Sequence, residues 1–225
     1  MKKLAIFDLD GTLLNTITDL GTAANFALEK NGFPPHKITL YPFFIGNGIK
    51  RLLRQILPED HQNDKTVEIL CKDFIEYYNL HSAENTIPYK DIPELLAKLR
   101  ENNINIAIAS NKYQEATGKL VKHYFPGIDF IAIEGQKEGY PVKPDPSIIF
   151  EILGKTGIKK EDTIFIGDSG VDMEAARRAC IDSIGVTWGF RPKNELILTQ
   201  ATYVIDNPED ILRIATSQSG SLLEI

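Results

Sequence analysis

The feature that most constrains this chain is a series of short apolar runs in which polar residues do not alternate, at residues 4–9, 105–109, 130–133, 163–166 and 201–205. A strand with one wet face alternates apolar and polar residues. A continuous run needs cover on both faces, which a parallel sheet receives from the helices of its crossovers. Stretches at helical spacing separate the runs, at 92–100, 114–122, 146–156, 171–179 and 208–214. Asp91, ahead of Ile92 and Pro93, is predicted to cap the first of these helices, and Gly157 to stop the third. Such alternation predicts an α/β fold, a doubly wound parallel sheet with helices on both faces.

The rhythm breaks once. Between residues 16 and 82 no strand candidate occurs, only helical patterns at 19–30, 47–57 and 65–81. The first of these carries Leu20, Ala23, Ala24, Ala27 and Leu28 on one face. From Asn31 to Pro42 the chain holds Pro34, Pro35 and Pro42 and is predicted to be a connector. The expected organisation is an α/β core from residues 1–15 and 83–225, with an all-helical domain, 16–82, inserted after the first strand. A length of 225 residues suits one large domain with an insertion. The small, polar tail at 216–221 is expected to fray.

Composition removes several function classes. Lys plus Arg number 25 and Asp plus Glu 31, a formal net charge of −6, so no basic face for nucleic acid is expected. The apolar runs fall far short of the ~20 residues of a membrane span, and Asp8 interrupts the opening run too early for a signal peptide. No membrane partner is expected. Two cysteines, Cys71 and Cys180, supply no disulfide framework and suit a reducing, cytoplasmic setting; both are expected to be small core residues. His36, His61, His81 and His123 show no ligand spacing.

Sheets of this type place their ligand sites outside the carboxyl ends of the strands, and there the polar residues of this chain collect. The first run ends in Asp8-Leu9-Asp10-Gly11-Thr12, the second in Ser110-Asn111-Lys112, the fourth in Gly167-Asp168-Ser169-Gly170-Val171-Asp172. Lys143 follows the third after a loop. Asp8 and Asp10, two apart, point the same way on an extended segment. Two adjacent carboxylates resist ionising unless a cation sits beside them. With Asp168 from a neighbouring strand end, oxygen ligands of this kind suit a divalent ion, magnesium (Mg2+) first. Taken alone, Asp8 and Asp10 also read as a turn with solvated acids.

Together and in this order, each after a strand, Asp8-Leu9-Asp10-Gly11-Thr12, Ser110, Lys143 and Gly167-Asp168-Ser169-Gly170-Val171-Asp172 resemble the four motifs of the haloacid dehalogenase-like (HAD) phosphatase superfamily. The resemblance covers residues 1–15 and about 85–215, and the helical block matches the position of that superfamily's cap. Residues 44–53, Phe44-Ile45-Gly46-Asn47-Gly48-Ile49-Lys50-Arg51-Leu52-Leu53, with Trp188-Gly189-Phe190, are similar to the phosphoglycolate phosphatase branch.

The resemblance implies a Rossmann-like core and a magnesium-dependent phosphomonoester hydrolase working through an aspartyl phosphate. The implied partner is a small phosphorylated metabolite, 2-phosphoglycolate first. Sugar phosphates, nucleotides, pyrophosphate or a β-phosphoglucomutase-type transfer are the alternatives. By the same resemblance Asp8 is the nucleophile, and Asp10 protonates the leaving alcohol and then activates water. Ser110 binds a phosphoryl oxygen with the backbone N–H groups of Leu9, Asp10 and Asn111, and Lys143 neutralises charge. Magnesium is held by the Asp8 carboxylate, the Asp10 carbonyl and Asp168, with Asp172 as a supporting or water-mediated ligand. Asn15 and Thr16 depart from the family pattern, in which an acid and a serine commonly follow the first motif.

Around this core several expectations remain. The turn Asn47-Gly48, opening a helix, offers backbone N–H groups to an anion. Lys50, Arg51 and Arg54 form either a solvated face or a contact to the far end of the substrate. Phe43 and Phe44 are expected between cap and core, and the cap is expected to move about connections near Asn15 and Ser82. Gly167-Asp168-Ser169-Gly170 lacks the histidine partner of a serine protease. Gly154-Lys155-Thr156 has Ile149 where a phosphate-binding loop needs glycine, and Gly46-Asn47-Gly48 has Arg51 where a dinucleotide fingerprint does. A signalling module phosphorylated on Asp8 is the non-enzyme alternative, against which the large helical insertion argues. Monomer and homodimer are both compatible with the sequence.

Overall fold

In the computed structural model, which describes residues 1–217, the chain enters through β1 (Leu4–Phe7) and β2 (Leu14–Asn15). Three helices follow: α1 (Ile17–Lys30), α2 (Ile49–Ile56) and α3 (Asp64–His81). The chain returns through β3 (Ile87–Pro88), α4 (Ile92–Glu101), β4 (Asn105–Tyr113), α5 (Gln114–Tyr124), β5 (Ala132–Gln136) and α6 (Ser147–Thr156). It closes with β6 (Thr163–Gly167), α7 (Gly170–Ala179), β7 (Asp182–Val186), α8 (Lys193–Leu198), β8 (Tyr203–Ile205) and α9 (Glu209–Thr216). Six strands make one sheet in the order β5-β4-β1-β6-β7-β8, and every neighbouring pair is parallel.

β1 shows why its run is continuous. Ala5 and Phe7 pack with Leu95 and Leu99 of α4 and Leu120 of α5 on one face. Leu4 and Ile6 pack with Ile149 and Ile152 of α6 and Ala175 of α7 on the other. Each fully buried side chain of this size contributes about 1.5–3 kcal/mol, so a polar residue on either face would be costly. Among the described residues no helix is long and apolar enough to cross a membrane.

The structure departs from the sequence reading at several places. β7 and α8 were not expected, because Asp182, Ser183 and Gly185 dilute the apolar run. There Lys2 neutralises Asp182 at 2.6 Å and the Ser183 N–H donates to Thr202 Oγ1 at 3.0 Å. β5 begins two residues later than expected and continues through Glu134, which is buried yet paired with Lys137 at 2.6 Å and with Lys155. Gly157 does end α6 in the left-handed region (φ 67°). Asp91 does not cap α4 with its side chain; it adopts a left-handed backbone (φ 62°), and only its carbonyl receives the Leu95 N–H, at 3.0 Å. The stretch after Asn31 ends in a 3-10 turn over Ile38–Phe43, and α2 starts at Ile49 because Gly48 has φ 80°. Cys71 is buried, but Cys180 is exposed in a left-handed turn after α7 and is not a core residue. Of the tail, Thr216 closes α9, while residues 218–221 lie outside the described residues.

Helices α1 to α3 share a cluster of their own, including Leu20, Ala24, Leu28, Leu53, Leu70 and Phe74, and it meets the rest of the chain at Ala116, Tyr113 and Phe190. The expectation for the two phenylalanines fails for a simple reason. Phe43 sits in the 3-10 turn and is 66% exposed, while the Phe44 ring packs inside the helical block, 5.8 Å from His36 and 5.9 Å from Tyr41. The two connections of the block run side by side as the antiparallel pair β2 and β3. Buried Asp19 of α1 locks them. Its carboxylate accepts from the Asn85 N–H and Nδ2 at 3.0 and 2.9 Å and from the Thr86 N–H and Oγ1, both at 2.8 Å.

Removing that carboxylate leaves buried donors without an acceptor, the costly half of hydrogen-bond energetics. Asp19→Ala is expected to lower unfolding stability by about 2–4 kcal/mol, read from urea denaturation. A loss below a few tenths of a kcal/mol would show that the clasp contributes nothing.

Candidate active site

Three chain ends build the site. β1 stops at Phe7, and the chain turns through Asp8 to Thr12. β4 breaks register with β5 between Ala109 and Tyr113, an irregularity that re-aims side chains at a strand end. β6 runs into α7 through Asp168 and Ser169. All three strands are neighbours in the sheet, so their carboxyl ends face one space.

Asp8, Asp168 and Asp172 are buried, and each presents an oxygen within 4.8 Å of the others. One ammonium serves them. Lys143, 1% exposed, lies 2.7 Å from Asp172 Oδ1 and 3.0 Å from Asp8 Oδ1, and donates to the Ala109 carbonyl at 2.7 Å. The Ser169 N–H and hydroxyl donate to Asp172 Oδ2 at 3.1 and 2.6 Å. Asp168 accepts from Thr12 Oγ1 at 3.3 Å and from the Phe190 N–H at 2.7 Å. Glycine is required where the backbone presses on that carboxylate. A Cβ on Gly11 (φ 85°) would stand 2.3 Å from Asp168 Oδ2, and one on Gly189 2.2 Å from its Cβ.

The electrostatics are unbalanced. Burial pushes the Asp8 carboxyl up to about 7; Lys143 opposes the rise, and the charges of Asp172 and Asp10 add to it. Asp168 is raised well above the ordinary carboxylate range by burial and by the charges of Asp172 and Asp8. Burial alone would lower Lys143, but the carboxylates of Asp172 and Asp8 hold it above its ordinary value. The contact between Lys143 and Asp8 Oδ1 is an ion pair off the direction of a hydrogen bond, and that buried oxygen accepts none. An orphaned oxygen among three carboxylates fits a hard divalent cation with oxygen ligands.

Beside the cluster a cavity of about 50 Å³ opens. On the sheet side it is lined by Asp8, Asp10, Ser110, Asn111, Lys112 and Tyr113. The helical block supplies Leu20, Ile45, Ile49, Leu52 and Phe74, with the backbone of Gly46 and Gly48. Asp10 accepts from Thr16 Oγ1 at 2.7 Å and from Lys112 Nζ at 2.9 Å.

Of the residues singled out in the sequence, Asp8, Lys143, Asp168 and Asp172 meet in the cluster. Asp10, Ser110, Asn111 and Gly48 line the cavity, and Asn47 does not. The Asn111 side chain is committed, donating to the carbonyls of Gly46 at 2.9 Å and Lys143 at 3.0 Å and accepting the Lys143 N–H at 2.8 Å. Lys50 and Arg54 are paired with Glu68 and Asp64, and Arg51 is exposed. Sequence reasoning missed Lys112, Thr12, Thr16 and the Phe190 N–H. Lys112 gave no clear signal: it stands two residues from Ser110, but β4 is irregular between Ala109 and Tyr113, so simple alternation does not place both on one side.

The raised carboxyls make stability depend on pH. Native Asp8 binds its proton up to about pH 7, while the unfolded chain releases it near 4, so the folded state holds more protons in between. Stability is therefore present at the acid end of this window and is lost as pH rises through it. In the absence of divalent cations, unfolding free energy from urea titrations is expected to fall by about 2–4 kcal/mol across the window. Asp8→Asn is expected to flatten the slope; an equal slope in the variant would remove Asp8 as its source.

The profile of haloacid dehalogenase-like hydrolases matches residues 5–186. The chain is similar to phosphoglycolate phosphatase 1 of Pseudomonas aeruginosa, 31% identical over 99% of this chain and 83% of that protein. It is also similar to the phosphoglycolate phosphatase of Aquifex aeolicus, 28% identical over 94% of this chain and 96% of the other. A crystal structure of a protein from Lactobacillus delbrueckii subsp. bulgaricus superposes with a TM-score of 0.90 at 31% identity, covering 97% of this chain and 100% of that one. A parallel sheet gathering these carboxylates and Lys143 at one end accords with a match spanning most of the chain, and the protein belongs to the haloacid dehalogenase-like hydrolase family.

Proposed function

We propose that this phosphatase hydrolyses 2-phosphoglycolate, or a monoester of similar size, with magnesium and an aspartyl-phosphate intermediate. The carrying observation is the buried trio Asp8, Asp168 and Asp172 around Lys143, opening on a small cavity with Asp10 and Ser110 on its wall. The similarity to relatives that bear the name phosphoglycolate phosphatase supports the substrate.

In this reading the Asp8 carboxylate attacks phosphorus, the bond to the leaving alkoxide breaks, and the Asp10 carboxyl gives its proton to the departing oxygen. Asp10 then takes a proton from a water that attacks the aspartyl phosphate, releasing inorganic phosphate and restoring Asp8. The Ser110 hydroxyl donates to a phosphoryl oxygen, and Lys143 lies against the charge that develops there. The Asp8 carboxylate, the Asp10 carbonyl and Asp168 would hold magnesium, with Asp172 behind, and the bound ion supplies two positive charges against a dianion meeting a carboxylate. Asp172 also keeps Lys143 aimed at Asp8, through its 2.7 Å contact. The apolar wall from the helical block excludes water around the reacting atoms.

Phosphate release from a panel of monoesters tests this. 2-Phosphoglycolate is expected to be the best substrate, with turnover abolished by chelation and restored by magnesium. Asp8→Asn is expected to lower kcat at least about 10⁴-fold and Asp10→Asn about 10²–10⁴-fold. Stable phosphorylation of Asp8 without phosphate release would favour a signalling module, and normal turnover in Asp10→Asn would remove its proton-transfer role.

A further inference from the structure

Lys112 is the cation that the catalytic scheme leaves unused. Its side chain is 2% exposed, and it stands on the wall of the cavity beside Asp10. Nζ donates to Asp10 Oδ2 at 2.9 Å and lies 4.7 Å from the centre of the Tyr78 ring. An ammonium carries three N–H donors, and among the described residues Asp10 is the one hydrogen-bond acceptor that Lys112 Nζ finds. Burying a charged group with donors unmet is costly, and a ligand acceptor in the cavity would relieve that cost.

The rest of the cavity narrows what that ligand is. Leu20, Ile45, Ile49, Leu52 and Phe74 offer no partner to the hydroxyls of a sugar. Of the cations on α2, Lys50 and Arg54 are held by Glu68 and Asp64 at 2.5 Å each, and Arg51 is exposed. Lys143 faces Asp8 and Asp172.

We infer that Lys112 determines specificity by binding an anionic group, a carboxylate, on the leaving alcohol, so that the cavity selects small acidic monoesters. The inference rests on the phosphatase reading and deepens it. The phosphoryl group occupies the Asp8 end, and a leaving group with one methylene between its oxygen and its carboxylate places that carboxylate in the cavity on the Lys112 side. A neutral alkyl group of the same length gains only the apolar walls.

The matched probes are 2-phosphoglycolate and ethyl phosphate, two-carbon monoesters that differ in one carboxylate. The readout is the ratio of their kcat/KM values, which a merely structural loss, or misplacement of Asp10, would leave unchanged because it slows both. Wild type is expected to prefer 2-phosphoglycolate, Lys112→Met to lower the ratio about 10- to 100-fold, and Lys112→Arg to keep most of it. Lys112→Gln replaces the methionine variant if that chain does not fold. A parallel arm measures calorimetric binding of both esters, with magnesium, to Asp8→Asn and to Asp8→Asn/Lys112→Met. A binding preference that vanishes with Lys112 supports the inference even if wild type hydrolyses neither ester, an outcome that would sink the phosphatase reading alone. A ratio and a binding preference that survive Lys112→Met would overturn it.

Discussion

Three buried carboxylates share one ammonium, and the rest of this end of the sheet answers that imbalance. Asp8, Asp168 and Asp172 are 8%, 2% and 1% exposed, and Lys143 is 1% exposed. A buried ion pair is tolerable only when geometry is good and the remaining lone pairs are satisfied. Asp172 meets that condition through Lys143 and Ser169, and Asp168 through Thr12 and the Phe190 N–H. Asp8 does not, since its buried Oδ1 accepts no hydrogen bond, and this is the carboxylate to which the proposed function gives the nucleophile's part. The glycines at 11 and 189 belong to the same account, because a side chain at either would collide with Asp168 and open the cluster.

Buried Asp19 makes an instructive contrast. Its carboxylate receives four donors from Asn85 and Thr86 and needs no cation. The two solutions do different work. At Asp19, an acid on α1 just after β2 takes neutral donors from Asn85 and Thr86 just before β3 and so ties the two connections of the helical block together. At Asp8, acids outnumber cations, which leaves an oxygen without a hydrogen-bond donor. Satisfied polar groups rigidify and unsatisfied ones mark function, and here the two lie eleven residues apart in one segment.

Much of this was legible because the physics acts locally. A strand buried on both faces has to be apolar throughout, so β1, β4 and β6 stand out, and parallel strands present their carboxyl ends together, which located Asp8, Ser110 and Asp168. Legibility failed where tertiary partners override local pattern. β7 contains Asp182 at a half-exposed strand start where Lys2 pairs with it, and β5 contains buried Glu134 because two lysines neutralise it. Phe43 read as an interface residue by type alone, yet a 3-10 turn carries it outward. Lys112 was hidden for a related reason. A lysine at a strand end is ordinarily solvated, and only the arrival of Asp10 and the Tyr78 ring from distant segments buries this one.

The site divides its work between its two sources. Every ionisable group that faces the cavity comes from the sheet side, in the turn after β1 and at the end of β4. The helical block adds Leu20, Ile45, Ile49, Leu52 and Phe74 as walls, and its main chain is tied down by the sheet side's own donors, Asn111 to the Gly46 carbonyl and Arg191 to the Ile45 carbonyl. These ties are backbone contacts, so they do not depend on which side chains the block carries. An exchange of one apolar wall residue for another then changes the volume beside Lys112 without moving a charge. Apolar walls discriminate weakly, by about 1–3 kcal/mol per methylene, whereas a buried polar group left unpaired rejects the wrong ligand far more strongly. In this cavity the strong discriminator sits on the rigid sheet and the weak ones on the inserted block, so the charge preference is anchored where the structure is least able to adjust.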